Sequence, residues 1–532
     1  MSFPFLNRRN FFLVSIIVLG FLVRFMNIST NPPGLYWDEA AIGYDSYSIL
    51  KTGADHRGHF LPLFFESFGD WKLPGYEYLS VPFIGVFGLN EFSVRLPNVI
   101  FGTLTVLLVY LLIKSQTKNY KLALSAAFLL AISPWHIQFS RAAFESTIAL
   151  FTFTFALYLI YKSISSKNAK FLILGVILMA LTQYIYHSYR IFTPMFLVGV
   201  GFIYRDFFLK FKKLVVTTAI IFLIVSIPIF IFSFTKEGKD RAISQSTFNQ
   251  ADFEKARLKF DQFSKPPFRF LSKYLYNKPL YTSEVLLKNY LDHFSPTFLF
   301  FKGDQVGRHS QVDIGQINIF ELPLIIIGLF CLKNLKNRKF MYVLLLWLIL
   351  APIPAVIVNP TPHANRALQM VIPLVIISGI GLNYILFKSQ KIIAALFCLW
   401  IVAVFLIYTN TLFGQYPKKF AADWQDGNRD MINFISSVSS KYKKVYVTNT
   451  AGVPYIYLLF YTKYDPSTYQ KFGSTKGFGN YEFVDTNAKI YDQKNSLYVA
   501  PVWQKVNGNL QRVIYDSKEE PVYNIWELTG NK

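Results

Sequence analysis

Long apolar runs alternate with short polar linkers over the first three quarters of the chain. A helix that crosses a bilayer needs about 20 mainly apolar residues. Segments near 11–28, 95–113, 121–135, 143–161, 170–188, 190–204, 213–234, 317–333, 340–358, 366–387 and 391–409 meet or approach that length. The pattern therefore predicts a polytopic α-helical membrane protein with about eleven transmembrane helices. The apolar run 73–89 is broken by Pro74, Gly75, Pro82, Gly85 and Gly88, and reads as an interfacial or re-entrant helix. After about residue 410 the periodicity changes. A helical stretch reaches Val438, Lys444–Thr448 reads as a strand, and an apolar helix starts near Pro454. Further strands are expected at Ser496–Pro501, Arg512–Tyr515 and Val522–Leu528, with 471–494 as loop. Two domains follow: a transmembrane domain at 1–410 and a small α/β domain at 411–532.

Charge orients this array. The 532 residues hold 54 Lys and Arg against 31 Asp and Glu, a net charge of +23. In a soluble protein that excess would suggest nucleic acid. Here the basic residues sit in alternate linkers: Arg8 and Arg9, Lys114 and Lys118, Lys162 to Lys170, Arg205 to Lys213, Lys333 to Lys339, and Lys388 with Lys391. Asp206 is the one acid among them. By the positive-inside rule these linkers face the cytoplasm. The N-terminus is then inside, and an odd number of spans puts the C-terminal domain outside. The outer segments are about 29–94, 136–142, 235–316, 359–365 and the tail. Arg8 and Arg9 ahead of the apolar Phe11–Val23 imitate a signal peptide, but no small-residue cleavage site follows, so the first helix is read as retained. Gly530-Asn531-Lys532 is no retention signal, which favours a bacterial plasma membrane. Cys331 and Cys398 both lie in apolar runs and supply neither a disulfide framework nor a spaced metal-ligand set.

The first outer loop, 29–94, carries candidate chemistry. Pro32, Pro33 and Gly34 end the first span, and a helical pattern runs from Glu39 to about Thr52. Ile42, Ile49 and Leu50 suggest an amphipathic helix lying in the interface. Asp38 falls at its N-cap and Glu39 in its first turn, positions that structure alone can explain. The same loop supplies a cation in Asp70-Trp71-Lys72. A carboxylate and an ammonium at the membrane surface suit group transfer from an anionic lipid. A phosphate leaves readily, so sugar transfer from a phosphate donor needs one base for the acceptor proton and cations for the departing phosphate. Lys72 is the first phosphate cation in this scheme; Arg141 and Arg308, in outer segments, and Arg366, at the outer entry of the span 366–387, are the others. Glu145, four residues after Arg141, and His363, in Pro362-His363-Ala364-Asn365-Arg366, are candidates for an acceptor-side group or second acid. Without a His-x-x-x-His set, acids plus water could hold only a weakly bound divalent cation.

Trp37-Asp38-Glu39-Ala40, the Lys72-Leu73-Pro74-Gly75 stretch and the Arg95-Leu96-Pro97 helix start resemble the GT-C membrane glycosyltransferases. The resemblance is to the protein mannosyltransferase and aminoarabinose transferase branch, similar to glycosyltransferase family 39. It covers about residues 1–410, with its motifs mainly in 30–150. It implies a polyprenyl-phosphate-linked sugar donor, a lipid, glycan or protein acceptor, and inverting transfer of a hexosyl or pentosyl group on the outer face. It also implies a first-loop acid as base, carried here by Asp38 with Glu39 as runner-up, and an acid of the second outer loop lining the site, matched by Glu145. The tail does not resemble the β-trefoil inserts of protein mannosyltransferases, and no acceptor motif is recognisable. A lipid-sugar flippase or transporter, a polysaccharide polymerase or ligase, and a non-catalytic partner subunit are the competing readings. The first would place ionisable residues at mid-membrane, whereas these cluster at helix ends.

The orientation has a direct test. Tags inserted after residue 115, 165 or 335 should be shielded from impermeant outside reagents, and tags after 240 or 420 should react. A shielded tag after 420 would invert the topology.

Overall fold

The computed structural model describes residues 8–239, 254, 258, 278–450, 452–485 and 494–529. The middle of the expected large outer loop, and residues 486–493 of the tail, lie outside them. Chain contacts divide the protein into two compact units: Met1–Phe21, Phe101–Phe139 and Glu145–Tyr408 form one, and Leu22–Ile100, Ser140–Phe144 and Thr409–Lys532 the other.

The first unit is helical. Each of the eleven expected spans coincides with a helix or a broken pair of helices. Six helices among the described residues are long and apolar enough to cross a membrane: Glu91–Thr117, Glu145–Ser166, Lys212–Phe234, Arg338–Val356, Leu368–Lys388 and Lys391–Lys419. A seventh is reached if Tyr120–Ala131 and Pro134–Ser140, bent by 58°, count as one span. Ala169–Tyr184, Tyr189–Ile203 and Glu321–Leu332 are apolar but shorter. Helix starts follow local chemistry. The side-chain carbonyls of Asn119, Asn168 and Asn337 accept backbone N–H groups of the first turns of Tyr120–Ala131, Ala169–Leu181 and Arg338–Leu350. Pro134 opens the second half of the bent pair, where a missing N–H costs nothing. Small residues let helices meet closely. A Cβ added at Gly328 would stand 2.0 Å from the Ile377 carbonyl oxygen, and one at Gly381 2.1 Å from that of Leu324.

In the second unit the helix expected at 39–52 spans Trp37–Thr52. It is not an interfacial amphipathic helix: Glu39 to Ser46, Ser48 and Ile49 are all buried, and it packs on Gly75–Phe87 and on Pro454–Thr462 of the tail. A hairpin absent from the sequence reading, β1 (Phe65–Ser67) and β2 (Asp70–Lys72), pairs Phe65 with Lys72. Its two-residue turn, Phe68-Gly69, has φ of 57° and 75°, the left-handed geometry that tight hairpins need.

The tail forms the expected α/β fold. Strands β3 (Lys444–Thr448), β4 (Gly477–Phe478), β5 (Tyr481–Val484), β6 (Ser496–Pro501), β7 (Gly508–Tyr515) and β8 (Pro521–Leu528) make one sheet in the order β4-β5-β3-β6-β8-β7. β5, β3 and β6 are parallel, and the other pairs are antiparallel. Part of the stretch expected to be loop thus supplies β4 and β5. Helices Asn428–Val438, Pro454–Thr462 and Pro466–Phe472 complete the unit's tail.

Candidate active site

Glu39 and Arg95 anchor the first loop. Both side chains are buried, at 5% and 0% exposure. Arg95 Nε and Nη2 donate to the two oxygens of Glu39 at 3.0 and 2.8 Å. Its remaining N–H groups donate to the carbonyls of Ile28 (2.9 Å), Pro32 (3.0 Å) and Gly34. All five guanidinium donors are used. The Glu39 carboxylate also accepts from Ala143 N–H at 2.9 Å and from Tyr36 N–H at 3.3 Å. Glu39 is thereby fully engaged in holding the loop together.

The N-cap of this helix is Tyr36, not Asp38. Asp38 is the second residue of the helix, two positions after the cap, and its side chain is 47% exposed. Its partner is Lys72, whose ammonium lies 2.9 Å from Asp38 Oδ1, is only 10% exposed and stands 5.2 Å from the centre of the Phe68 ring. The hairpin delivers this lysine. Of the two loop acids, only Asp38 presents a carboxylate to solvent.

Arg141 is buried at 1% exposure, and its guanidinium donates to the carbonyls of Val23, Arg24, Met26 and Asn31. Two of these belong to the last turn of Arg8–Phe25, whose carbonyls have no partner within the helix. The structure thus gives Arg141 a capping task that its charge alone did not reveal. Asn98 Nδ2 donates to the carbonyls of Ala142 and Phe144 and fixes the same turn.

The tail contributes residues that the sequence reading did not single out. Gln425 Oε1 accepts from Trp37 N–H at 3.1 Å and from the Tyr457 hydroxyl. Trp424 stacks 5.8 Å from Arg95, and its indole N–H donates to the Tyr416 hydroxyl at 2.7 Å. A Cβ at Gly34 would stand 2.2 Å from the Trp424 carbonyl oxygen, so only glycine fits there. The signal for such residues is weak, because the groups they meet lie far off in the chain, 388 positions away for Gln425 and Trp37.

In the helical unit, Glu145 is the first residue of Glu145–Ser166, half-buried, where a negative charge suits the helix dipole. Arg308 lies in the short turn Gly307–His309, its carbonyl accepting from Gln138 Nε2 at 2.9 Å, and Arg366 follows His363 in its loop. The fold brings Asp304, His309 and His363 together, with ligating atoms within 4.8 Å of one another. Asp304 Oδ2 lies 3.2 Å from His309 Nδ1 and accepts from Ala364 N–H. Burial pushes the Asp304 carboxyl up, but the His309 charge and hydrogen bond outweigh it and hold it below the usual range. Burial, then the His309 and Arg366 charges, push His363 well below the ordinary imidazole value. His293 is likewise lowered by burial, and its Nε2 accepts from His363 N–H at 3.2 Å.

The sequence model of the dolichyl-phosphate-mannose-protein mannosyltransferases matches residues 14–239. Among solved structures, the chain is similar to ArnT from Cupriavidus metallidurans bound to undecaprenyl phosphate, with a TM-score of 0.59 at 13% identity over 98% of this chain and 99% of that one. ArnT in its apo state gives 0.58 at 12% identity over 99% and 100%. The archaeal oligosaccharyltransferase AglB from Archaeoglobus fulgidus, in complex with an inhibitory peptide and a dolichol-phosphate, gives 0.51 at 15% identity. That match covers 86% of this chain but only 64% of AglB. Among curated proteins, none matches the sequence. The resemblance first seen in the loop motifs therefore extends to the fold, and the chain is a membrane protein with the GT-C fold.

The Glu39–Arg95 pair makes a stability prediction. Glu39→Gln leaves a buried guanidinium without its counter-charge, which should cost about 3–5 kcal/mol. Thermal unfolding in detergent should show a large loss for Glu39→Gln and for Arg95→Met. The double variant should lose much less than the sum of the two, because the partners share one interaction. Additive losses would mean the two groups act independently.

Proposed function

We propose that this protein transfers a hexosyl or pentosyl group from a polyprenyl-phosphate donor to an acceptor on the outer face of a bacterial plasma membrane, with inversion at the anomeric carbon. The observation that carries the reading is the half-exposed Asp38 held 2.9 Å from the sheltered Lys72, beside a Glu39 with no free carboxylate oxygen. The polyprenyl phosphates bound by ArnT and AglB, whose fold the chain resembles, support the donor class. The peptide bound to AglB makes protein one acceptor class to test. About eleven spans with the C-terminal domain outside remain the topology that fits the basic linkers.

In this scheme Asp38 accepts the proton of the acceptor's nucleophilic group. The freed lone pair forms the bond to the anomeric carbon from the face opposite the phosphate. The carbon–oxygen bond to phosphate breaks, and its electron pair leaves with the polyprenyl phosphate. The transition state resembles an oxocarbenium ion. Lys72 exchanges its resting partner Asp38 for the donor phosphate, which stabilises the leaving group and frees the base together. Glu39 and Arg141 are positioning residues. The tail holds Trp37 through Gln425, and so bears on the direction of Asp38.

Asp38→Asn keeps the size of the side chain and should lower the transfer rate by about 10²–10⁴-fold, the usual loss of a general base. Because Tyr36 caps the helix, Asp38→Ala should be equally inactive and melt close to the wild type. An active Asn variant would remove Asp38 from the chemistry. Lys72→Ala should lose on the order of 10²-fold in kcat, as for other groups that stabilise transition-state charge. Wild-type kinetics with the polyprenyl-phosphate donor would reassign the phosphate to another cation.

A further inference from the structure

From the geometry of the helical unit we infer that Asp304, His309 and His363 form a binding site for one divalent transition-metal ion of the zinc class. The three side chains come from two separate loops, so no spacing in the sequence announces them. The Asp304–His309 contact of 3.2 Å is close to the separation of neighbouring ligands on a tetrahedral ion with bonds of about 2.0–2.1 Å. The two imidazole rings have centroids 5.0 Å apart. The Nδ1 atom of His363 is buried and has no hydrogen-bond partner among the described residues. Buried polar atoms in folded proteins are nearly always paired, so this one asks for an acceptor of its lone pair.

The surroundings are arranged as they are around bound metals, where outer groups fix the ligands' orientation. Val306 N–H donates to Asp304 Oδ1 at 2.9 Å, and Ala364 N–H to Oδ2 at 2.6 Å. The His309 ring lies against Phe139 at 5.5 Å, and its carbonyl accepts from Gln316 Nε2. The indole N–H of Trp135 holds the Ala364 carbonyl at 3.1 Å. His293 donates from Nδ1 to the Asn289 carbonyl and accepts at Nε2 from His363 N–H, so both of its nitrogens are occupied in holding the backbone that carries His363. Two imidazoles and one carboxylate suit zinc, cobalt or nickel rather than magnesium or calcium, which prefer oxygen ligands. Three protein ligands leave a fourth position for water or an oxyanion. Arg308 directly precedes His309 and Arg366 follows His363 by three residues, so an anion is the ligand their charges favour there.

The test uses the full-length protein in detergent, stripped with a chelator and titrated with Co²⁺ or Zn²⁺ alone, with no sugar donor. One ion per chain is expected, and the Co²⁺ form should absorb in the visible as tetrahedral cobalt does. His309→Ala and His363→Ala should each weaken binding by at least about tenfold, the smallest loss seen even for outer-shell partners. His363→Gln keeps a polar side chain without a ring nitrogen and should do the same with an unchanged melting temperature. X-ray absorption on the wild-type Co²⁺ form reads the ligands without any variant: two imidazoles support the site, and fewer overturn it. No bound ion in the wild type, or an undiminished Co²⁺ spectrum in the His309→Ala/His363→Ala double variant, also overturns it. Because no donor is present, these outcomes are independent of whether the protein transfers sugar.

Discussion

A guanidinium taken out of water must find acceptors for all five of its N–H groups, and around Arg95 that requirement organises the first loop. Its acceptors are drawn from Ile28, Pro32, Gly34 and Glu39, so the chain leaving the first helix has to wrap round one side chain. Glu39 is thereby aimed inward. Successive residues of a helix point about 100° apart, so anchoring Glu39 also sets the direction of Asp38, which emerges toward solvent. Arg141 repeats the device on the carbonyls that end the first helix. Two buried arginines thus shape the backbone around the carboxylate, and neither needs to touch a ligand to matter.

The helices were legible because length and apolarity decide them locally. The apolar runs that suggested spans each fold as helices, and in the tail the strands β3, β6 and β8 fall within a residue of their expected limits. What failed depended on partners remote in sequence. Nothing near Arg141 says whether its charge will meet a phosphate or four carbonyls. Asp38 looked like an N-cap because aspartate is a common one, but the reach of Glu39 back to Tyr36 N–H places the cap two residues earlier. The Phe65–Lys72 hairpin was invisible because its strands have three residues each and its turn lacks an Asn-Gly signal. The cluster of Asp304, His309 and His363 was hidden because its members approach only through the fold.

The tail reads in sequence as a separate domain, yet its residues pack with the first loop in one compact unit. The contacts are specific rather than generic. Gln425 sits at φ 54°, a left-handed conformation that costs a non-glycine residue energy, and from there its side-chain amide oxygen Oε1 accepts from Trp37 N–H. Gly452, at φ +125°, lies where a Cβ would press on the Trp37 ring. A backbone held in an unfavourable conformation at one end of a hydrogen bond, and a glycine at the other contact, are what a constrained approach of two segments demands. Such constraint suits a segment that fixes the turn bearing Asp38 more than a tethered accessory module.

Two adjacent acids with two different cations show how exposure divides labour. The Glu39–Arg95 pair is buried, and breaking it would strand a charge in a medium that solvates it poorly, so it persists through any cycle of ligand exchange. The Asp38–Lys72 pair is open on the aspartate side, where water screens it, so it is held less firmly than a pair buried on both sides. A lipid phosphate, with more charge and more oxygens than one carboxylate, can compete for Lys72 at little cost. Had both pairs been buried, the lysine would be locked to its aspartate and no base would be released. Had both been exposed, the loop would lose the anchor that aims Asp38. The proposed reaction needs one labile pair set on one permanent pair, and the difference between them is water access, set by a rotation of about 100° along a single helix.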